Sequence, residues 1–208
     1  REGLRDWLEV YKDLHAHPEL SGTEERTASV VAARFKELGL EVKTGLGGHG
    51  VAALIDNGPG PVLFPRGHMD ALPREEKTGL DYASNQRTVD ATGREVPLMH
   101  ACGHDVHTTS LIAAGEVLHR LRHMWRGRVV LVAQPAEEAI GGAHLMLDDG
   151  LYDLFPRPEA FLALHVSPDL PAGSVSLRAG PASSGSDNHD LIIRGRSGHG
   201  AAPHQTVD

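Results

Sequence analysis

The chain has 208 residues, is 40% hydrophobic and 23% charged, and carries a formal charge of -8 from 20 Lys and Arg against 28 Asp and Glu. The apolar fraction is too high and too evenly spread for a disordered protein. No apolar run approaches the ~20 residues that span a bilayer, and an acidic chain without a Lys/Arg block lacks the footprint of a nucleic-acid binder.

Length allows one domain, or one plus part of a second. Residue 1 is Arg, and residues 201–208 stop directly after what reads as the start of an element, so a piece of a longer protein is expected. Leu4, Leu8, Tyr11 and Leu14 recur at helical spacing, and a turn follows at His17-Pro18-Glu19-Leu20-Ser21-Gly22. Ser21 or Thr23 is expected to cap a second helix, with Glu24 and Glu25 near its positive end and Gly39 as its stop. The period then changes. Val51 to Ile55 reads as a strand, 56–60 as a turn, and Val62-Leu63-Phe64 as the second strand of a hairpin. Residues 74–98 read as a long loop, 105–123 as an amphipathic helix, Val129 to Ala133 as a buried strand, 141–149 as a helix, and Phe161 to Val166 as another buried strand. Alternating strands and helices make the class α/β. Beyond Gly173 the texture shifts: Val175-Ser176-Leu177 and Asp190 to Arg194 read as exposed strands around a Gly/Ser/Pro stretch at 180–186. A domain boundary is expected near residue 182.

Fourteen of the residues are His and one is Cys. Histidine ligates metals and moves protons near neutral pH. The lone Cys forms no internal disulfide. Four segments gather the reactive types: His68-Met69-Asp70, His100-Ala101-Cys102-Gly103-His104-Asp105, Gln134-Pro135-Ala136-Glu137-Glu138, and His165. Each lies at the C-terminal end of an expected strand or at a helix start, where open α/β sheets form their ligand sites. Cys102 and His104 converge on one point only if the backbone between them is a loop, which Gly103 permits. A thiolate with an imidazole suits Zn²⁺ or a similar ion. Glu137 and Glu138 point in different directions, so one is free to bind metal while the other acts as general base. Asp70 suits a carboxylate–histidine pair. Each segment alone has a plainer reading: a buried thiol, a solvated acidic pair, a core histidine, a turn-capping Asp. Together they point to metal-assisted hydrolysis, with no substrate named.

Taken in order, seven stretches resemble the metal-dependent aminoacylase/carboxypeptidase family, most closely its amidohydrolase branch of hippurate hydrolases, N-acyl-amino-acid amidohydrolases and auxin-conjugate hydrolases. They are Asp13-Leu14-His15-Ala16-His17-Pro18-Glu19-Leu20-Ser21, Met69-Asp70-Ala71-Leu72-Pro73, Lys77-Thr78-Gly79-Leu80, Met99-His100-Ala101-Cys102-Gly103-His104-Asp105, Gln134-Pro135-Ala136-Glu137-Glu138, Leu164-His165-Val166, and Gly198-His199-Gly200-Ala201-Ala202-Pro203-His204. The resemblance implies a zinc-exopeptidase-like α/β catalytic domain, residues 1–182, interrupted by a smaller α+β lid or dimerisation domain that begins at 183–208. It implies two divalent ions (Zn, Mn, Co or Ni) with Cys102, His104, Glu138 and His165 as ligands. It further implies Glu137 as general base, Asp70 in support, His199 as the group that polarises the scissile carbonyl, and a further His ligand beyond residue 208. At position 68 the wider family has a ligand His and the branch an acidic residue; His68 is placed outside the ligand set. The implied substrate is an N-acyl amino acid or similar small amide. A peptidase of the same family and a non-catalytic metal-binding homologue are the alternatives. A homodimer or higher homo-oligomer is implied, without nucleic acid or membrane, and one metal-bound thiol suits the cytoplasm, with export after removal of a signal as the other option.

Overall fold

A computed structural model of the chain describes residues 3–182, 185, 189, 191–192 and 194–207. The chain divides into two compact units, Arg1–Ser167 and Pro168–Asp208.

In the first unit, α1 (Leu4–Ala16) and α2 (Glu25–Glu37) precede β1 (Glu41–Leu46), β2 (Gly50–Asn57) and β3 (Val62–His68). The short strands β4 (Arg87–Val89) and β5 (Glu95–Pro97) follow, then α3 (His104–Arg120), β6 (Gly127–Gln134), α4 (Gly142–Asp148), α5 (Leu151–Leu154) and β7 (Ala160–Ala163). Neither Ser21 nor Thr23 caps α2. Thr23 Oγ1 donates to the Leu20 carbonyl and Ser21 Oγ to Asp70. The first-turn N–H groups of Arg26 and Thr27 instead donate to the two carboxylate oxygens of Glu19, at 2.9 and 2.7 Å, which satisfies donors the helix cannot pair itself. Gly39, at φ 73, follows the helix end as expected.

The main sheet has the order β1-β2-β6-β3-β7. β1 pairs β2 and β2 pairs β6 antiparallel, whereas β3 pairs both β6 and β7 in parallel. The expected hairpin of β2 and β3 therefore does not form. β6 lies between them, and the hairpin partner of β2 is β1. β6 is central and buried on both faces. Val129, Leu131 and Ala133 pack with Val31, Phe35, Leu111 and Ile112 of α2 and α3. Val130 and Val132 pack on the other face with Phe64, Met146, Leu151 and Phe155. This is the two-sided burial that its continuous apolar run requires. Each fully buried Phe, Leu or Ile here contributes about 1.5–3 kcal/mol over an exposed one.

Three other expectations change. β7 is not buried: it is an edge strand on the outer side of β3, and Phe161 is 53% exposed despite its edge-on contact with Phe64. The polar stretch 74–98 is not all loop, because β4 and β5 pair antiparallel within it. In the second unit Val175-Ser176-Leu177 is no strand. Val175 and Leu177 are 84% and 92% exposed and pair with no strand among the described residues, and a strand exists only by its ladder. Of the other expected strand, Asp190 and Ile193 lie outside the described residues, and Leu191, Ile192 and Arg194 form no ladder. The second unit's own order is a bridge between Arg196 and Val207 and a 3-10 turn at Pro203–Gln205.

Because β3, β6 and β7 run parallel, their C-terminal ends meet at one edge. His68 is in register with Gln134, and Met69 N–H donates to the Gln134 carbonyl at 3.1 Å. The N-terminal end of α3 reaches the same edge, where Thr108 Oγ1 donates to the His68 carbonyl at 2.6 Å. All four reactive segments of the sequence arrive there.

Candidate metal centre

Asp70, just beyond β3, is buried and serves three partners. Its Oδ1 lies 3.0 Å from His104 Nδ1, and its Oδ2 accepts Ser21 Oγ–H at 2.7 Å and the Glu138 N–H at 2.9 Å. Burial alone would raise the Asp70 pKa. The hydrogen bonds from His104, Ser21 and the Glu138 backbone outweigh it and hold the carboxyl below its ordinary value. An ionised Asp70 takes the Nδ1–H of His104 and leaves Nε2 with its lone pair outward. That Nε2 is buried without a hydrogen-bond partner. It lies 3.6 Å from Glu137 Oε2 and 3.9 Å from Glu138 Oε1, and the latter oxygen is likewise buried and unpartnered.

Gly103 sits at φ 74 between Cys102 and His104, and a Cβ there would run into Val166. The left-handed turn brings Cys102 and His104 to one point, as the sequence predicts. Cys102 Sγ is 3.3 Å from His165 Nε2. His165 Nδ1 lies 2.7 Å from the Val166 carbonyl, so its N–H donates there and the Nε2 lone pair faces Cys102 Sγ. His165 follows β7 rather than lying within it. Burial, then the charges of Glu138, Glu137 and Asp70, push the Cys102 thiol up to about 12. Burial and this negative charge both disfavour the thiolate, and a divalent cation at the same point would reverse that balance.

Ligand atoms of Cys102, His104 and His165 lie within 4.8 Å of one another, and so do those of His104, Glu137 and Glu138. His104 is common to both groups. One thiol, two imidazoles and two carboxylates facing buried, unpartnered atoms form a donor set that fits a pair of borderline divalent ions.

The third such group is His68, His104 and His107. The His68 ring is 4.9 Å from His104 and 5.7 Å from His107, and both of its nitrogens are unpartnered. Burial, then Arg66 and the neighbouring imidazoles, push His68 down to about 3. Burial also takes His107 and His100 down to about 4. His107 Nε2 accepts the Val166 N–H at 3.1 Å, which anchors the backbone beside His165.

His199 belongs to the second unit, where its Nδ1 accepts the Ala201 N–H at 3.2 Å. The sequence gives several site-supporting residues no specific role. Glu19 reads as a turn residue, and Ser21 and Glu24 as helix-start residues. His15 falls in one of the seven stretches without an assigned role, and it lies buried between Asp105 and Glu76 at 2.6 and 2.9 Å.

The chain matches Peptidase family M20/M25/M40 over residues 65–205. It is 36% identical over 200 residues to N-acetyl-L-cysteine deacetylase of Bacillus subtilis, covering 96% of this chain and 45% of the relative. It is 34% identical over 210 residues to thermostable carboxypeptidase 1 of Saccharolobus solfataricus, covering 99% and 50%. Among solved structures, the Bacillus subtilis YXEP protein, described as a dinuclear metal-binding peptidase of the M20 family, is similar with a TM-score of 0.71 and 35% identity. The match covers 80% of this chain and 44% of that one. The chain thus spans about half the length of the curated relatives it matches.

Proposed function

The chain belongs to peptidase family M20/M25/M40, and from that premise we propose that it is part of a metal-dependent hydrolase cleaving the amide bond of N-acyl amino acids or similar small amides. The observation that supports this reading is the convergence of five donor side chains from three chain segments, in two groups that share His104 and whose ligand atoms lie within 4.8 Å of one another. Cys102, His104, Glu138 and His165 would hold two divalent ions, of Zn, Mn, Co or Ni. When bound, such ions supply Lewis-acid activation of the amide carbonyl and of the attacking water.

Glu137, half-exposed beside the His104 edge, takes a proton from the attacking water as the oxygen bonds to the acyl carbon. When the C–N bond breaks, it returns that proton to the leaving amine, so an amino acid and a carboxylic acid result. Asp70 fixes the His104 ring and the Glu138 backbone. His199, carried by a lid that begins at residue 183, donates to the developing oxyanion. The catalytic part, residues 1–182, and the lid segment, residues 183–208, belong to this proposal, as do a homo-oligomeric assembly and a cytoplasmic setting. No helix among the described residues is long and apolar enough to cross a membrane.

The test uses the full-length protein. Glu137→Gln should keep its metal by elemental analysis and lose about 10²- to 10⁴-fold in kcat. A variant with full metal and full activity would overturn the assignment of the base. Less than one equivalent of any divalent ion in supplemented wild-type protein would overturn the metal site. A similarity to a carboxypeptidase supports a second reading, a peptidase acting on short peptides. A panel of N-acetyl amino acids, N-benzoyl amino acids and dipeptides separates the two.

A further inference from the structure

Glu24 stands at the start of α2, and none of its surface is exposed. Its side chain makes no cap to its own helix. Instead Oε1 accepts the Ala136 N–H at 2.7 Å, from a residue 112 positions away in sequence. Ala136 has φ 47, a left-handed conformation that costs a residue with a Cβ about 1 kcal/mol or more and persists only where surroundings hold it. The Ala136 carbonyl accepts the Gly142 N–H at 3.1 Å and closes the loop. Gly142 itself has no room for a Cβ against the Pro135 carbonyl. Two residues further on, the Glu138 N–H ends on Asp70 Oδ2 at 2.9 Å. The two backbone N–H groups that bracket Glu137 are therefore both held by buried carboxylates, one from the start of α2 and one from the end of β3.

We propose that Glu24 is a positioning residue: with Asp70 it pins the strained turn at Ala136 and so aims the Glu137 carboxylate at the His104 edge of the site. This rests on the assignment of Glu137 as the base. Glu24 touches no reacting atom and acts only through Ala136. Its Oε2 is buried without a partner, so its placement costs stability rather than adding to it. A helix-start acid serving only α2 would sit in solvent at no such cost.

The experiment compares Glu24→Gln, Glu24→Asp and Glu24→Ala in the full-length protein. Gln keeps an acceptor oxygen at the same reach, whereas Asp withdraws it by one methylene and Ala removes it. Three quantities are read: divalent-ion content, kcat and KM on an N-acyl amino acid, and amide hydrogen exchange over residues 134–142 in metal-free protein. Asp and Ala should lower kcat about 10- to 100-fold with both ions retained, as misplacement of a catalytic group does. KM should stay within about threefold, and exchange over 134–142 should quicken about tenfold or more. Gln should stay near wild type in all three. An Asp variant with unchanged exchange and kcat would overturn the proposal. So would a Gln variant as impaired as Ala, or a loss of kcat that tracks loss of metal. If Ala fails to fold, the Asp and Gln pair decides. If wild-type protein hydrolyses no substrate of the panel, the base assignment falls, while exchange in the metal-free variants still decides whether Glu24 holds the turn.

Discussion

Asp70 illustrates how one side chain can order a site without reacting in it: His104, Ser21 and the Glu138 backbone all end on its two oxygens. His15 plays the same part a layer further back. Its ring joins Asp105, next to His104, to Glu76 in the 74–98 segment. Burial opposes a charged His15, but hydrogen bonds to Glu76 and Asp105 outweigh it and raise the pKa above 6.5. A raised histidine stabilises the fold fully below its unfolded value, and that contribution is lost as pH rises through the folded value. The destabilisation caused by His15→Gln should therefore be larger at about pH 6 than at about pH 9. Equal losses in denaturant melts at the two pH values would contradict the pairing. Cys102, His104, Glu137, Glu138 and His165 stand out in the sequence as candidate donors, and their side chains gather in two overlapping groups. The roles of Glu24 and His15 were not legible, although His15 lies in one of the seven stretches, because each acts on residues far away in sequence, and nothing local separates a buried carboxylate from the solvated acid beside it.

Among the elements, the packing of α3 against β3 sets where the donors of Cys102 and His104 fall. Gly67 makes that approach close: a Cβ there would stand 2.8 Å from the His107 carbonyl oxygen and 3.3 Å from Leu111 Cβ. The obstacle is backbone, so the whole helix would have to shift. Gly67→Ala should cost about 1–3 kcal/mol in chemical denaturation and weaken divalent-ion binding, since His104 begins the same helix. Unchanged stability would show that α3 yields freely. The helices α1, α2 and α3 and the strand β6 were legible from their periodicities. β1 was not, because Glu41 to Leu46 carries only two apolar side chains, Val42 and Leu46, and three of its six residues are exposed. The misassigned hairpin has a similar cause: a short turn after β2 invites local pairing, but the buried β6 offers both faces to the core and takes the place between β2 and β3.

For the molecule as a whole, the candidate ligands at 102, 104, 138 and 165 are brought together only by the completed fold. An ion that binds them binds the native state and not the unfolded chain. Divalent ion at about 100 times its Kd should then stabilise the protein by about 2.7 kcal/mol. A chelator should lower the thermal midpoint, and His104→Ala should remove the response. A midpoint indifferent to excess Zn²⁺, Mn²⁺, Co²⁺ and Ni²⁺ would count against the centre. The sequence by itself determined the α/β class, the candidate donor types and a glycine at 103 that permits Cys102 and His104 to converge, because these follow from local chemistry and periodicity. Only the tertiary structure decided which strands are neighbours, that His68, His100 and His107 are buried, and that Glu24 and Asp70 hold the backbone on either side of Glu137. Those outcomes depend on burial and on contacts between distant segments, which local sequence does not encode.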